Sequence, residues 1–269
     1  MIFLVIKASR LQFILRSLIV IGSSLLLTVI LQIFQFRDVK AGITWFFKYH
    51  SIFGLTTAGI IFVFYLALIG IFNRFWYATG LIYFILLIFG FANSQKSMLR
   101  DEPLLPSDLA MYKEADSLIG MISIKSVLML LAVLIIGIGL TFWLQHRFKR
   151  DKGLPWYFRI LILVPCCLTI GGIFTLNHAN SISNRFATKI KDSRDFWNPL
   201  SGAVTNGPLL SFINNVDSEV MTKPKNYNEK SMAVIAKRYQ KSANAINKTR
   251  PNNNLNSQTL ILNYAYASN

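Results

Sequence analysis

The stretch Arg100-Asp101-Glu102-Pro103-Leu104-Leu105-Pro106-Ser107-Asp108-Leu109 decides how this chain is read. It concentrates charge, proline and turn chemistry inside an otherwise apolar first two-thirds. Paired acids and two prolines cannot lie in hydrocarbon, where polar groups lack partners. The stretch therefore belongs at a membrane face. Three long apolar runs precede it and two follow.

Composition agrees. The 269 residues are 53% hydrophobic and 15% charged, with a mean hydropathy of +0.44. A soluble domain would be about a quarter charged. The apolar residues come in blocks of about 20, the length that crosses a bilayer. The formal net charge is +16. On a membrane protein such an excess points to anionic lipid or polymer, not to nucleic acid. Cys166 and Cys167 are adjacent inside an apolar run, so they provide neither a disulfide framework nor a metal site. They read as buried membrane cysteines, with palmitoylation the lesser reading.

The spans fall at residues 17–36, 51–72, 75–93, 126–145 and 157–176. The first is longer than a signal-peptide core and has no small-residue cleavage site near Gln32. Between the first two, Trp45, Phe46, Phe47 and Tyr49 with Lys40 and Lys48 suit a headgroup layer. Gly54, Ala58 and Gly59 invite a neighbouring helix to approach the second span. Pro165 can kink the fifth. The fold class is an all-α membrane protein, with a five-helix module over residues 1–176.

In the opening stretch, Pro103 and Pro106 keep the chain extended and bar helix before Ser107. Ser107 or Asp108 then caps a short amphipathic helix. Leu109, Tyr112, Ala115, Leu118, Ile119 and Ile122 form its apolar face, which lies along the membrane surface. Asp101, Glu102 and Asp108 could bind a cation together; capping and solvation are the plainer reading.

Short-loop basic residues set the orientation. Lys7, Arg10 and Arg16, then Arg74, then Arg147, Lys149, Arg150 and Lys152 all fall on one side of a five-span chain. Taking that side as cytoplasm puts the N-terminus inside a cell membrane. The central loop and the tail of residues 177–269 are then extracellular.

The tail carries twelve bases against five acids and no spanning run. Asn206-Gly207-Pro208 signals a turn. Residues 229–246 repeat at helical spacing through Met232, Ile235, Ala236, Tyr239 and Ala243. An Asn-rich linker over 250–256 leads to one buried strand at 259–265, with nothing to pair with it. The tail is expected to be a largely irregular or helical linker.

A search for chemistry finds little. His50, His146 and His178 share no local motif, and no His, Asp or Glu cluster has metal-ligand spacing. Each histidine reads as interfacial or solvated. There is no Gly-rich phosphate loop, Gly-x-Ser-x-Gly or zinc motif. No catalytic, cofactor-binding or metal residue is assigned.

The chain resembles the N-terminal part of the lipoteichoic acid synthase family of Gram-positive bacteria. Residues 100–109 are similar to the family's Arg-Gly-Glu-Pro-Leu-Leu-Pro-Ser-Asp-Leu pattern, with Asp101 in place of glycine. Arg100, Glu102, Pro103, Pro106, Ser107 and Asp108 are the matching residues of interest. Phe196-Trp197 through Asn206-Gly207 to Phe212-Ile213-Asn214-Asn215 looks like the family's juxtamembrane linker. Lys223-Pro224 to Tyr227 is similar to the Lys-Pro-x-x-Tyr stretch before the catalytic domain.

The resemblance implies a five-span anchor for an extracellular sulfatase-like phosphoglycerol transferase. Such an enzyme moves glycerol phosphate from phosphatidylglycerol to an envelope polymer, using manganese. The family's Ser-Glu-Ser-Phe-like turn, whose glutamate binds the metal, has no counterpart here, since no acid follows Glu229. The chain is thus expected to stop within the first strand of the catalytic domain, naturally or by frameshift, and to be inactive. The other reading is a non-enzymatic membrane protein, accessory to envelope synthesis, whose tail contacts anionic lipid or wall polymer. Spans expected to be free of buried charge argue against a transporter.

Overall fold

The computed structural model describes residues 2–110, 123–148, 153–176, 181–192, 198–216 and 228–249, with side chains from Gln12 onward. The described residues divide into two units, Met1–Ser218 and Glu219–Asn269.

Five helices of the first unit are long and apolar enough to cross a membrane. They are α1 (Ile2–Phe36), α3 (Ser51–Phe72), α4 (Phe75–Arg100), α6 (Ile124–Arg147) and α7 (Trp156–Phe174). In hydrocarbon only internal hydrogen bonds satisfy the backbone, so apolar runs of this length form helices whatever their propensities. Hydroxyls along the spans turn back on their own helix. Ser24 Oγ donates to the Val20 carbonyl and Thr28 Oγ1 to that of Ser24. The chain is a multi-pass, all-α membrane protein.

Two boundaries differ from the hydropathy reading. Helix α1 begins at Ile2, ahead of the apolar run at residue 17. Helix α4 continues two turns past Asn93 to Arg100 and carries Lys96 and Ser97 into the protein interior. Hydropathy tracks solvation by lipid; the backbone keeps its helix wherever protein covers it.

Helices α1, α3 and α4 form the centre, with α6 laid against α4 and α7 against α3. Leu27, Leu31, Ile61, Tyr65 and Ala78 make the core between the central three. Close approach uses different glycines from those expected. A Cβ on Gly70 would meet Leu163, one on Gly80 would meet Thr141, and one on Gly90 would meet Phe34. Gly54 instead accommodates the Phe46 ring, and Gly59 faces open space.

The two ends of the bundle are built differently. At one, Asn73 adopts φ +53° and closes α3, its N–H bonding to the Ile69 carbonyl. Its Oδ1 accepts from the Leu154 N–H at 2.7 Å. Arg159 donates to the carbonyls of Gly70 and Ile71, satisfying groups left open at the end of α3. Lys96, buried in α4, lies beyond the span of residues 75–93 that the sequence suggests, and Arg159, inside the expected fifth span, is half-buried. Each is placed within a turn or two of a helix end, where protein acceptors replace water.

At the other end short helices cover the bundle. They are α2 (Val39–Thr44) running into a π-helical turn (Trp45–Tyr49), α5 (Pro106–Ala110), α8 (Ile182–Lys189), α9 (Pro199–Asn206) and α10 (Pro208–Asn214). Compact packing thus continues past residue 176 into what the sequence suggests is linker.

In the second unit, α11 (Glu229–Thr249) is the helix expected over 229–246, capped by Asn228 Oδ1 accepting from the Ser231 N–H. The expected helix over residues 111–122, the Lys223–Tyr227 stretch, the Asn-rich linker and the strand at 259–265 lie outside the described residues.

Candidate functional site

The Arg100–Leu109 stretch is held at the covered end by Asn93, Lys96 and Ser97 of α4, the last donating its Oγ to the Glu102 carbonyl. Helix α4 stops because Asp101 takes φ +53°, the left-handed conformation that commonly ends helices. The chain then folds back over the last turns of α4. Pro103 is fully buried. Asn93 Oδ1 accepts from the Leu104 N–H at 2.9 Å, and Asn93 Nδ2 donates to Gln35 Oε1 of α1 at 2.6 Å. One amide thereby joins α1, α4 and the loop.

Lys96 provides the charge. It is only 7% exposed, and its Nζ donates to both carboxylate oxygens of Asp108, at 3.0 and 2.8 Å. Glu102 Oε2 lies 3.5 Å away on the solvent side, 55% exposed. A buried ammonium demands such partners, since desolvation without them costs several kcal/mol. Asp108 has a second task. Its Oδ2 accepts from the Leu105 N–H at 2.7 Å, a third-position carboxylate reaching back to the residue that caps α5.

Sequence reasoning is corrected at two points here. Helix α5 begins at Pro106, not after it, because a proline at the first helical position lacks only an N–H that the helix cannot use. The suggested cation site at Asp101, Glu102 and Asp108 is not assembled. Asp101 is exposed, and the other two face a cation of the protein's own, Lys96. Arg100 and Ser107 are exposed, and Pro106 is half-buried.

A second layer lies beside this loop. The Trp45 indole donates to the Val204 carbonyl at 2.7 Å. Gly207, at φ +88°, joins α9 to α10, and a Cβ there would run into Gln32 Nε2. Asp192 accepts from the side-chain amides of Asn206 and Asn214, pinning α9 and α10 after α8. Phe212 meets Phe89 edge-on, seating α10 against α4. His50 stacks on Trp45 with ring centroids 5.3 Å apart, and burial lowers its pKa below the ordinary 6.5.

His146 is exposed at the opposite end of the bundle, so it cannot act with His50. His178 lies outside the described residues. Among the described residues no three His, Cys, Asp or Glu side chains gather in metal-binding geometry. The arrangement can hold a loop rigidly against the bundle; it presents no paired nucleophile and base.

Sequence reasoning missed Lys96, Asn93, Gln35 and Gln32. Their signal was available. Gln32 and Gln35 are three apart within an apolar span, and Asn93 and Lys96 repeat that spacing at the end of another. Polar residues sharing one helical face inside hydrocarbon mark a protein contact. No protein-family model, curated protein or solved structure matches the chain.

Proposed function

We propose that the chain is the membrane-anchoring portion of a lipoteichoic acid synthase-like phosphoglycerol transferase, and that its described residues anchor rather than catalyse. Its N-terminus is cytoplasmic and its covered end extracellular, facing envelope polymer and phosphatidylglycerol. The supporting observation is at residue 101. The family pattern has glycine there, and in this chain the position has φ +53°. That conformation favours glycine and is tolerated by aspartate. The similarity in the loop thus extends to a conformational requirement that the pattern itself does not state.

Manganese, implied by the resemblance, does not fit the loop. Glu102 and Asp108 already neutralise Lys96, whose charge would repel a second cation. No catalytic step is assigned to these residues.

The test joins this chain to the sulfatase-like domain of a Gram-positive synthase, in cells lacking their own. Restored envelope polymer is expected. Failure despite membrane insertion would overturn the reading, as would turnover of fluorescent phosphatidylglycerol by the purified chain with manganese. A Val216→Cys label should react with an impermeant thiol reagent on whole cells if the orientation is right.

The accessory reading draws on one observation: α11 exposes Lys230, Lys237, Arg238, Lys241 and Lys248. It predicts altered polymer length when the chain is deleted beside an intact synthase.

A further inference from the structure

Helices α3 and α7 are held tightly together at one end. Near Asn73 the Gly70 backbone admits Leu163, and Arg159 clamps the last carbonyls of α3. Pro165 follows, removing one rung of the α7 hydrogen-bond ladder. Beyond it the helices part. A cleft of about 710 Å³ runs between them to the covered end, floored by Gly59 and Ile60 and bordered by Thr169 and Gly172. That volume is within the roughly 300–1,000 Å³ of small-molecule sites. Helix α8 roofs it with Ile182, Ser183, Phe186 and Ile190. Ile52 and Leu55, each 59% exposed, leave its mouth open sideways at the depth of the spans.

We propose that this cleft holds an acyl chain of an anionic phospholipid, whose headgroup is bound by Arg185 and Lys189. The roof helix supplies the argument. At about 100° per residue, Arg185 and Lys189 flank the face that roofs the cleft. The opposite flank, with Ala187, is buried in protein. Both bases are therefore exposed on the flank of α8 away from Ala187, next to the residues that line the cleft without lining it themselves. No carboxylate pairs with Arg185, Lys189 or Lys191 among the described residues. An acyl chain gains little hydrophobic free energy by moving from bilayer to cleft, because both are apolar. Selection must then come from the headgroup, where each base favours an anionic lipid. The inference depends on the five-span reading and not on the transferase reading.

The full chain is reconstituted in phosphatidylcholine vesicles doped with spin-labelled phosphatidylserine or spin-labelled phosphatidylcholine. Phosphatidylserine has no glycerol headgroup to transfer, so the result is independent of phosphoglycerol transfer. At low salt the protein is expected to immobilise phosphatidylserine preferentially. Arg185→Gln and Lys189→Gln should each reduce that preference about fivefold. Gly59→Leu, whose new side chain enters open space, should remove the preferentially immobilised fraction. Thr56→Phe, in the cleft lining, provides the same readout if the first variant fails to insert.

Preference that survives both charge removals, or that survives a filled cleft, overturns the proposal. So does a Gly59→Leu variant that dissociates a dimer, since a second copy would then be the occupant.

Discussion

Trp45 and Val204, 159 positions apart, are joined by an indole N–H donating to a backbone carbonyl at 2.7 Å. The bond ties the turn between the first two spans to a helix that follows the fifth. Trp45→Phe keeps an aromatic ring in the site but removes the donor. It should cost about 1–2 kcal/mol, the usual loss for a partly buried hydrogen bond and its unpaired acceptor. Thermal unfolding in micelles checks this; an unmoved midpoint would mean that the contact is incidental.

The loop clasp makes unequal demands on its two acids. Asp108→Asn should cost about 2–3 kcal/mol, because Lys96 is left buried with a neutral partner. Glu102→Gln should cost less than about 0.5 kcal/mol, since water already screens that side of the pair. Proteolysis at the loop offers a direct readout. Equal sensitivity of both variants would contradict the geometry.

Two left-handed positions should respond with opposite sign. Asp101→Gly relieves φ +53° and should stabilise by about 0.5–1 kcal/mol. Gly207→Ala meets φ +88° and the Gln32 amide together, and should destabilise by about 2 kcal/mol or more. Paired unfolding curves in one detergent test the contrast.

Acid should loosen the aromatic stack at His50. Burial lowers its folded pKa beneath the unfolded 6.5, so the unfolded chain takes up a proton first. The stabilising contribution is complete above pH 6.5 and declines as pH falls from there through the folded pKa. Tryptophan emission should shift over that window in the native chain, and His50→Gln should remove the shift. A shift that persists in the variant would place the titrating group elsewhere.

The spans were legible because a single property, apolarity over about 20 residues, specifies them. Residues 51–72 match α3 from end to end. The loop was legible as a turn, through its prolines and the acids that cap it. What its acids grip was not, because Lys96 in sequence is one more loop cation. Only continuation of α4 past Asn93 makes it an inward-facing residue. The packed layer of α8, α9 and α10 was obscured for a related reason. Its polar residues, Asp192, Asn206 and Asn214, bond to one another across short helices. Local composition reads such residues as solvated linker, since the partners that satisfy them are distant in sequence.

Helix α6 rests chiefly on α4 and turns side chains such as Ile135 and Ile136 away from the protein. Most of its circumference is thus finished by molecules that are not encoded with it. In a thicker or thinner bilayer, or in a small micelle, this is the element whose tilt should change first. Its position thus reports on the host membrane.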